Sequence, residues 1–185
     1  MTEISTRRQA FDRAVQGAVW GSLDWCAEHW LALLNTAAFF SFFLPVVGAP
    51  AFYALEWRSA GDLIMLATSP LCHRMPSRSF YLFGEQMAFC HRMAALHGFF
   101  FFFGMAYIPV RRRLKSLPTW LAIAYCLPLA VDGTTQLFGW RESTWELRVA
   151  TGAFFALAAV WYMFPHLELL MPLVRRSLRP SPSPF

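Results

Sequence analysis

Lysine is nearly missing from this chain: Lys115 stands against 15 arginines. Acidic residues number only 11 in 185, and charged residues make up 15% of the chain, where a soluble domain carries about 25%. Four cysteines are too few for a disulfide scaffold at this length. No Gly-rich phosphate loop follows a strand-like run and no His-Glu-x-x-His stretch occurs, which sets aside P-loop and zincin chemistry. Residues 1–28 lack a small-residue cleavage site behind a short apolar core, so no cleavable signal peptide is read there. The first apolar stretch is expected to serve as its own insertion signal. There is no tandem repeat; the Cys-His-Arg triplets at 72–74 and 90–92 are the only echo. The basic charge falls at the ends of apolar runs, which argues against nucleic acid and for membrane flanks.

What fills the chain instead is apolar and aromatic. Hydrophobic residues make up 57%, with 19 phenylalanines, and the mean hydropathy is +0.39. A hydrocarbon core about 30 Å thick takes about 20 apolar residues in a helix. Four stretches qualify: Trp30 to Leu55, Gln86 to Ile108, Leu117 to Phe138 and Leu147 to Met171. Pro45 and Pro50 predict a kink or a broken outer end in the first. Residues 8–28 read as an amphipathic helix with Phe11, Val15, Ala18, Val19 and Leu23 on one side, suited to the membrane surface. Residues 60–69 are too short to span and are expected to pack against the outer face, and residues 179–185 read as disordered. The expected fold class is therefore all-α: a polytopic integral membrane protein with four transmembrane helices, an amphipathic N-terminal helix and a short outer-face segment. Its expected divisions are a cytoplasmic amphipathic N-terminal segment at 1–29, the four-helix transmembrane domain at 30–171 and a cytoplasmic, disordered tail at 172–185.

Arginine placement orients the spans. Arg7, Arg8 and Arg13, the run Arg111-Arg112-Arg113-Leu114-Lys115, and Arg175, Arg176 and Arg179 share one side of a four-span chain. That side is read as cytoplasmic, in a cell (inner) membrane with both termini inside. Two polar segments, residues 72–79 and 132–136, then gather at the outer face with the ends of three spans. The candidate outer-face cluster is Cys72, His73, Arg74, Arg78, Gln86, Cys90, Arg92, Asp132, Gln136, Arg141 and Arg148. Ionisable groups at membrane depth pair or face a polar cavity, so Asp132 is expected to pair with Arg92, Arg148 or both, as a structural clasp or as part of a working site. For Cys72 and Cys90, a disulfide or redox pair, two unlinked thiols, and a metal site with His73 and His91 or His97 all stay open. His97 lies seven residues after Cys90, on nearly one helical stripe and about 10 Å away, and is a candidate ligand for haem or pigment. A hydrogen bond to a neighbouring helix is the alternative. Gly98 and Gly104 are expected to allow close helix approach.

Two long motifs carry a resemblance. The first is Cys72-His73-Arg74-Met75-Pro76-Ser77-Arg78-Ser79-Phe80 with Gly84, Gln86, Cys90 and Arg92. The second is Asp132-Gly133-Thr134-Thr135-Gln136 with Gly139, Arg141-Glu142-Ser143-Thr144, Leu147-Arg148 and Thr151-Gly152. Over roughly residues 70–155 the chain resembles an uncharacterised family of small prokaryotic membrane proteins, domain of unknown function 2085. The resemblance implies a membrane protein and marks residues; it implies no reaction and no cofactor.

Three function classes follow. The first is a non-catalytic accessory subunit or assembly factor of a larger membrane complex, an energy-converting one among the candidates. The second is a small lipid-, quinone- or thiol-redox-active membrane enzyme, in which clustered arginines suit an anionic head group. The third is a metal- or ion-handling protein. The reading leans away from an enzyme. Membrane lipids, other membrane subunits, and quinone or pigment are the candidate partners.

Overall fold

The computed structural model describes residues 2–178, with side chains for residue 11 and from residue 14 onward. The tail expected at 179–185 lies outside the described residues, as do the side chains of Arg7, Arg8 and Arg13. Packing divides the chain into two units, Met1–Leu34 with His166–Phe185, and Asn35–Pro165.

In the first unit, helix α1 spans Thr2–Glu28. Phe11, Val15, Val19 and Leu23 stand exposed, as does every side chain from residue 14 to residue 23. Arg175, near the end of α7 (Trp145–Leu178), donates to Asp24 at 3.0 Å and Glu28 at 2.9 Å.

The second unit holds the polar segments. Helix α2 (Trp30–Phe43) passes through a π-helical turn at Leu44–Gly48 into α3 (Ala49–Ala54). The π turn opens where Pro45 lacks an N–H and its ring crowds the preceding turn. The helix therefore changes to a π turn at the first proline and stays continuous through both. Helix α4 (Arg58–Thr68) is the short element expected at 60–69. Helices α5 (His91–Val110), α6 (Thr119–Leu137) and α7 complete the set. Trp30–Ala54, α5 and α7 are long and apolar enough to cross a bilayer. Helix α6 has the length, but its last two turns carry Asp132, Thr134, Thr135 and Gln136.

The all-α expectation needs one correction. Residues 79–90 form an antiparallel hairpin, β1 (Ser79–Leu82) and β2 (Glu85–Cys90), so the second long helix starts at His91 and not at Gln86. Phe83 (φ 57°) and Gly84 (φ 81°) occupy the two central turn positions. Positive φ at both is what a two-residue hairpin turn needs, and Gly84 adopts it without a Cβ clash. The Met-Ala-Phe run of β2 is too short for its periodicity to separate strand from helix. Past Tyr81 the register slips, so that Ser79 pairs with Cys90. Cys90 keeps an extended backbone (ψ 165°) as the residue before α5. It is thus not on a helical stripe with His97, which packs against the Phe89 ring instead, with centroids 4.8 Å apart.

Below the hairpin lies a core of Val46, Cys72, Met87, Phe89 and Ala94. Small residues set the helix spacing. Gly98 faces Phe42, and Gly104 faces Asn35 and Phe164. At Gly152 in α7, a Cβ would stand 3.1 Å from the Arg92 carbonyl and 3.2 Å from the Ala95 Cβ in α5. Gly152→Leu is therefore expected to push α7 off α5 and lower stability by about 1–3 kcal/mol, read from thermal unfolding in mild detergent. Gly17→Leu is the control, because nothing stands within 4 Å of a Cβ there.

Candidate functional site

The site begins with a charge problem. Asp132 is 1% exposed in α6, and a carboxylate so placed must be paired. Arg92, in the first turn of α5, donates Nη2–H to Asp132 Oδ2. Arg141 donates Nη2–H to Asp132 Oδ1 at 2.8 Å and Nε–H to Thr135 Oγ1 at 3.3 Å. Arg92 also reaches Gln136 Oε1 at 3.4 Å. The expected partner Arg148 is not in this clamp; Arg141 takes its place. The reason is local. Gly139 (φ 71°) ends α6 in the left-handed conformation. Its N–H bonds the Gln136 carbonyl at 3.2 Å and the Trp140 N–H bonds the Thr135 carbonyl at 3.0 Å. This Schellman cap folds the chain back on the helix it has just left and returns Arg141 to Asp132.

Arg148 is left facing elsewhere. It is 5% exposed, and among the described residues no carboxylate forms an ion pair with it. It lines a cavity of about 240 Å³ together with Cys72, His73, Arg74, Arg78, Cys90, Arg92 and Gln136. Four guanidinium groups thus meet around one small space. The acids nearby offset them little. Asp132 is held by its own pair of arginines, and Glu142 lies 4.0 Å from Arg78 while almost wholly exposed. Buried donors here lack acceptors: Arg92 Nε, Gln136 Nε2 and Arg148 Nε have no hydrogen-bond partner among the described residues. Arg78 and Arg148 are shared with a second cavity, lined also by His91, Ser143, Trp145 and the acids Glu142 and Glu146. The Phe80 ring covers His91, with centroids 4.1 Å apart.

The loop carrying Cys72 is pinned from two directions. Gln86 donates Nε2–H to the Arg74 carbonyl at 2.8 Å and to Ser79 Oγ at 3.1 Å. Arg74 donates Nη1–H to the Met65 carbonyl at 2.9 Å, with its own backbone in the left-handed region at φ 50°. The Cys90 N–H points at Cys72 Sγ, 3.2 Å away, because Cys90 precedes the helix and its N–H is free of the helical ladder. Both thiols are free and hydrogen-bonded to each other. The bond from the Cys90 thiol is the main reason that the Cys72 pKa falls to about 5, against desolvation; the Arg74 and Cys90 N–H groups and the Arg74 charge add to it. The same bond, then burial, pushes the Cys90 thiol up. The pair shares one proton, with the charge on Cys72.

All eleven candidate residues therefore lie in one connected cluster: eight on the cavity wall, with Gln86, Asp132 and Arg141 behind it. His97 is outside, half-buried against Phe89. Among the described residues no three His, Cys, Asp or Glu side chains stand close enough to hold a metal ion. Sequence reasoning missed Met75 and Met93 on the wall and the role of Ser79; nothing marks a methionine as lining rather than core before the hairpin is known.

The profile of the family described as "Predicted membrane protein (DUF2085)" matches residues 72–162, a span that contains the whole cluster. An uncharacterized protein of Methanocaldococcus jannaschii is 36% identical over 141 residues, covering 72% of this chain and 90% of that protein. One of Methanothermobacter thermautotrophicus is 37% identical over 103 residues, covering 54% of this chain and 91% of that protein. No solved structure matches.

Two outcomes are expected. Asp132→Ala leaves Arg92 and Arg141 facing each other without a counter-charge and lowers stability by about 3–5 kcal/mol, measured by thermal unfolding in detergent; Asp132→Glu restores part of it. The Cys72 thiolate, followed as the ultraviolet thiolate absorbance of the wild type minus Cys72→Ser, persists at neutral pH and disappears around pH 5. A thiol pKa lowered by folding adds stability above the unfolded value, about 8.5. That stability is lost as the pH falls through the folded value.

Proposed function

Because the chain belongs to the family of predicted membrane proteins designated domain of unknown function 2085, we propose that its arginine-lined cavity holds the phosphate head group of an anionic membrane lipid. The observation that carries this reading is the set of buried, acceptor-less donors on Arg92, Gln136 and Arg148. A buried guanidinium without a counter-charge is costly, and phosphate supplies both the charge and a geometry that accepts paired N–H donors.

The apolar surroundings favour a lipid over a free anion. A groove of about 270 Å³ is lined by Phe42, Val46, Phe80, Met87, Phe99 and Val149 and offers almost no polar surface. Its lining neighbours the cavity's in sequence: Ala94 and Ala95 follow Arg92 and Met93 in α5, and Val149 follows Arg148 in α7. A head group on the arginines would leave its acyl chain beside this groove.

The lipid reading goes with four crossings, α6 being the fourth, within a membrane-embedded segment at 30–171. The Asp132 charge is neutralised by Arg92 and Arg141, which removes the main cost of placing α6 in lipid. The arginine run 111–113 with Lys115 and the basic chain ends would face the cytoplasm, and the cavity would face outward. An accessory-subunit role draws on small size and the lack of a recognised catalytic set, and no contact in the fold adds to it.

The test is native mass spectrometry of the protein released from the membrane in mild detergent. Wild type is expected to retain anionic phospholipid in preference to phosphatidylcholine. Arg148→Met is expected to lose it by roughly 10- to 100-fold, the effect of one charge-assisted bond of about 1.5–3 kcal/mol. Equal retention of both lipids, or retention unchanged in Arg148→Met, overturns the reading. Competition by inorganic phosphate alone would assign the cavity to a soluble anion.

A further inference from the structure

We propose that Cys72 and Cys90 form a redox-active dithiol whose oxidation state sets how tightly the arginine cavity holds its anion. The inference rests on the anion reading of that cavity and adds its regulation.

The geometry has three parts. First, the two thiols come from different elements, a loop and the end of β2, yet they share a hydrogen bond, and the Cys90 N–H lies 3.2 Å from Cys72 Sγ. Second, both sulfurs belong to the wall of the cavity that Arg74, Arg78, Arg92 and Arg148 line. Third, the Cys72 sulfur already takes the part of an anion there. It accepts the Cys90 N–H, faces the Arg74 N–H and sits in the field of the Arg74 guanidinium.

A thiolate and a phosphate therefore compete for one set of positive charges. In the reduced protein the charge on Cys72 offsets part of the arginine field. Oxidation removes two electrons from the pair and the remaining proton from Cys90, and one S–S bond forms. A quinone, reached from the membrane, takes up the two electrons and two protons, one of them from water, and becomes a hydroquinone. The disulfide carries no charge, so the cavity gains one unit of net positive charge and binds the anion more tightly. Coupling is reciprocal: a bound anion disfavours the Cys72 thiolate and favours the disulfide.

The experiment uses the full chain in mild detergent with Cys26→Ser and Cys126→Ser, which leaves Cys72 and Cys90 as its only cysteines. Diamide or a short-chain quinone is the oxidant, and maleimide gel shift counts free thiols. Affinity for a short-chain phosphatidylglycerol is then measured at neutral pH for the reduced protein, the oxidised protein, Cys72→Ser and Cys90→Ser. The expected result is an intramolecular disulfide, with the oxidised protein and Cys72→Ser both binding roughly tenfold tighter than the reduced protein, as removal of one nearby charge implies. Cys90→Ser, whose hydroxyl can still donate to Cys72 Sγ but cannot close the disulfide, shows no tightening on addition of oxidant. Failure of the disulfide to form overturns the redox pair. A disulfide that forms with all affinities equal overturns the tuning. Absence of binding in every form overturns the anion reading and the tuning with it, while the gel shift still reports on the thiols.

Discussion

Asp132 is a carboxylate inside a helix that is otherwise apolar through most of its length, and its neutralisation governs the arrangement around it. Arg92 approaches from the start of α5 and Arg141 from the loop beyond α6. One acid thereby ties three segments together. It also uses up two guanidinium groups that would otherwise repel the remaining arginines. With Arg141 taking up the second oxygen, Arg148 on α7 forms no ion pair among the described residues. The clamp and the cavity are thus two results of one distribution: more arginines than acids, brought to one end of a set of apolar helices. A buried ion pair of this kind is weak evidence for stability by itself; its consequence here lies in which arginine it leaves over.

The hairpin gives that excess charge its shape. It ends at Cys90, turns the chain into α5 and so sets the register of Arg92. Through Gln86 it also holds the loop that carries Cys72 and Arg74. The cysteine pair lies where the hydrophobic core meets the charged cavity: Cys72 and Cys90 pack with Val46, Met87 and Phe89 on one side and face guanidinium groups on the other. A thiol in that position meets two opposed effects, desolvation that disfavours its charge and donors that favour it. Both sulfurs accept backbone N–H groups, and it is the hydrogen bond from the Cys90 thiol to Cys72 that drives the two apart despite their proximity.

Much of this arrangement was legible in the residues alone, and its failures are instructive. The apolar runs marked their helices because length and hydropathy act locally, and the eleven polar residues were legible as a cluster because isolated polar groups between apolar runs must gather somewhere. Two details were not. The strand at 85–90 is a short apolar run whose conformation depends on pairing with β1, a non-local partner. Arg141 replaced Arg148 at Asp132 because the Gly139 cap reverses the chain, and separation along the sequence says nothing of such a return.

Composition and pattern by themselves determined that this is a membrane protein with long apolar helices, and two long motifs marked its family over roughly residues 70–155. The helices follow from transfer free energy, which each segment meets on its own account. Tertiary structure alone decided which arginine meets Asp132, which forms no ion pair among the described residues, and that the thiol of Cys90 donates to the sulfur of Cys72. Those outcomes depend on distances of a few ångströms between segments far apart in sequence, where hydrogen bonds and charge pairs form or fail.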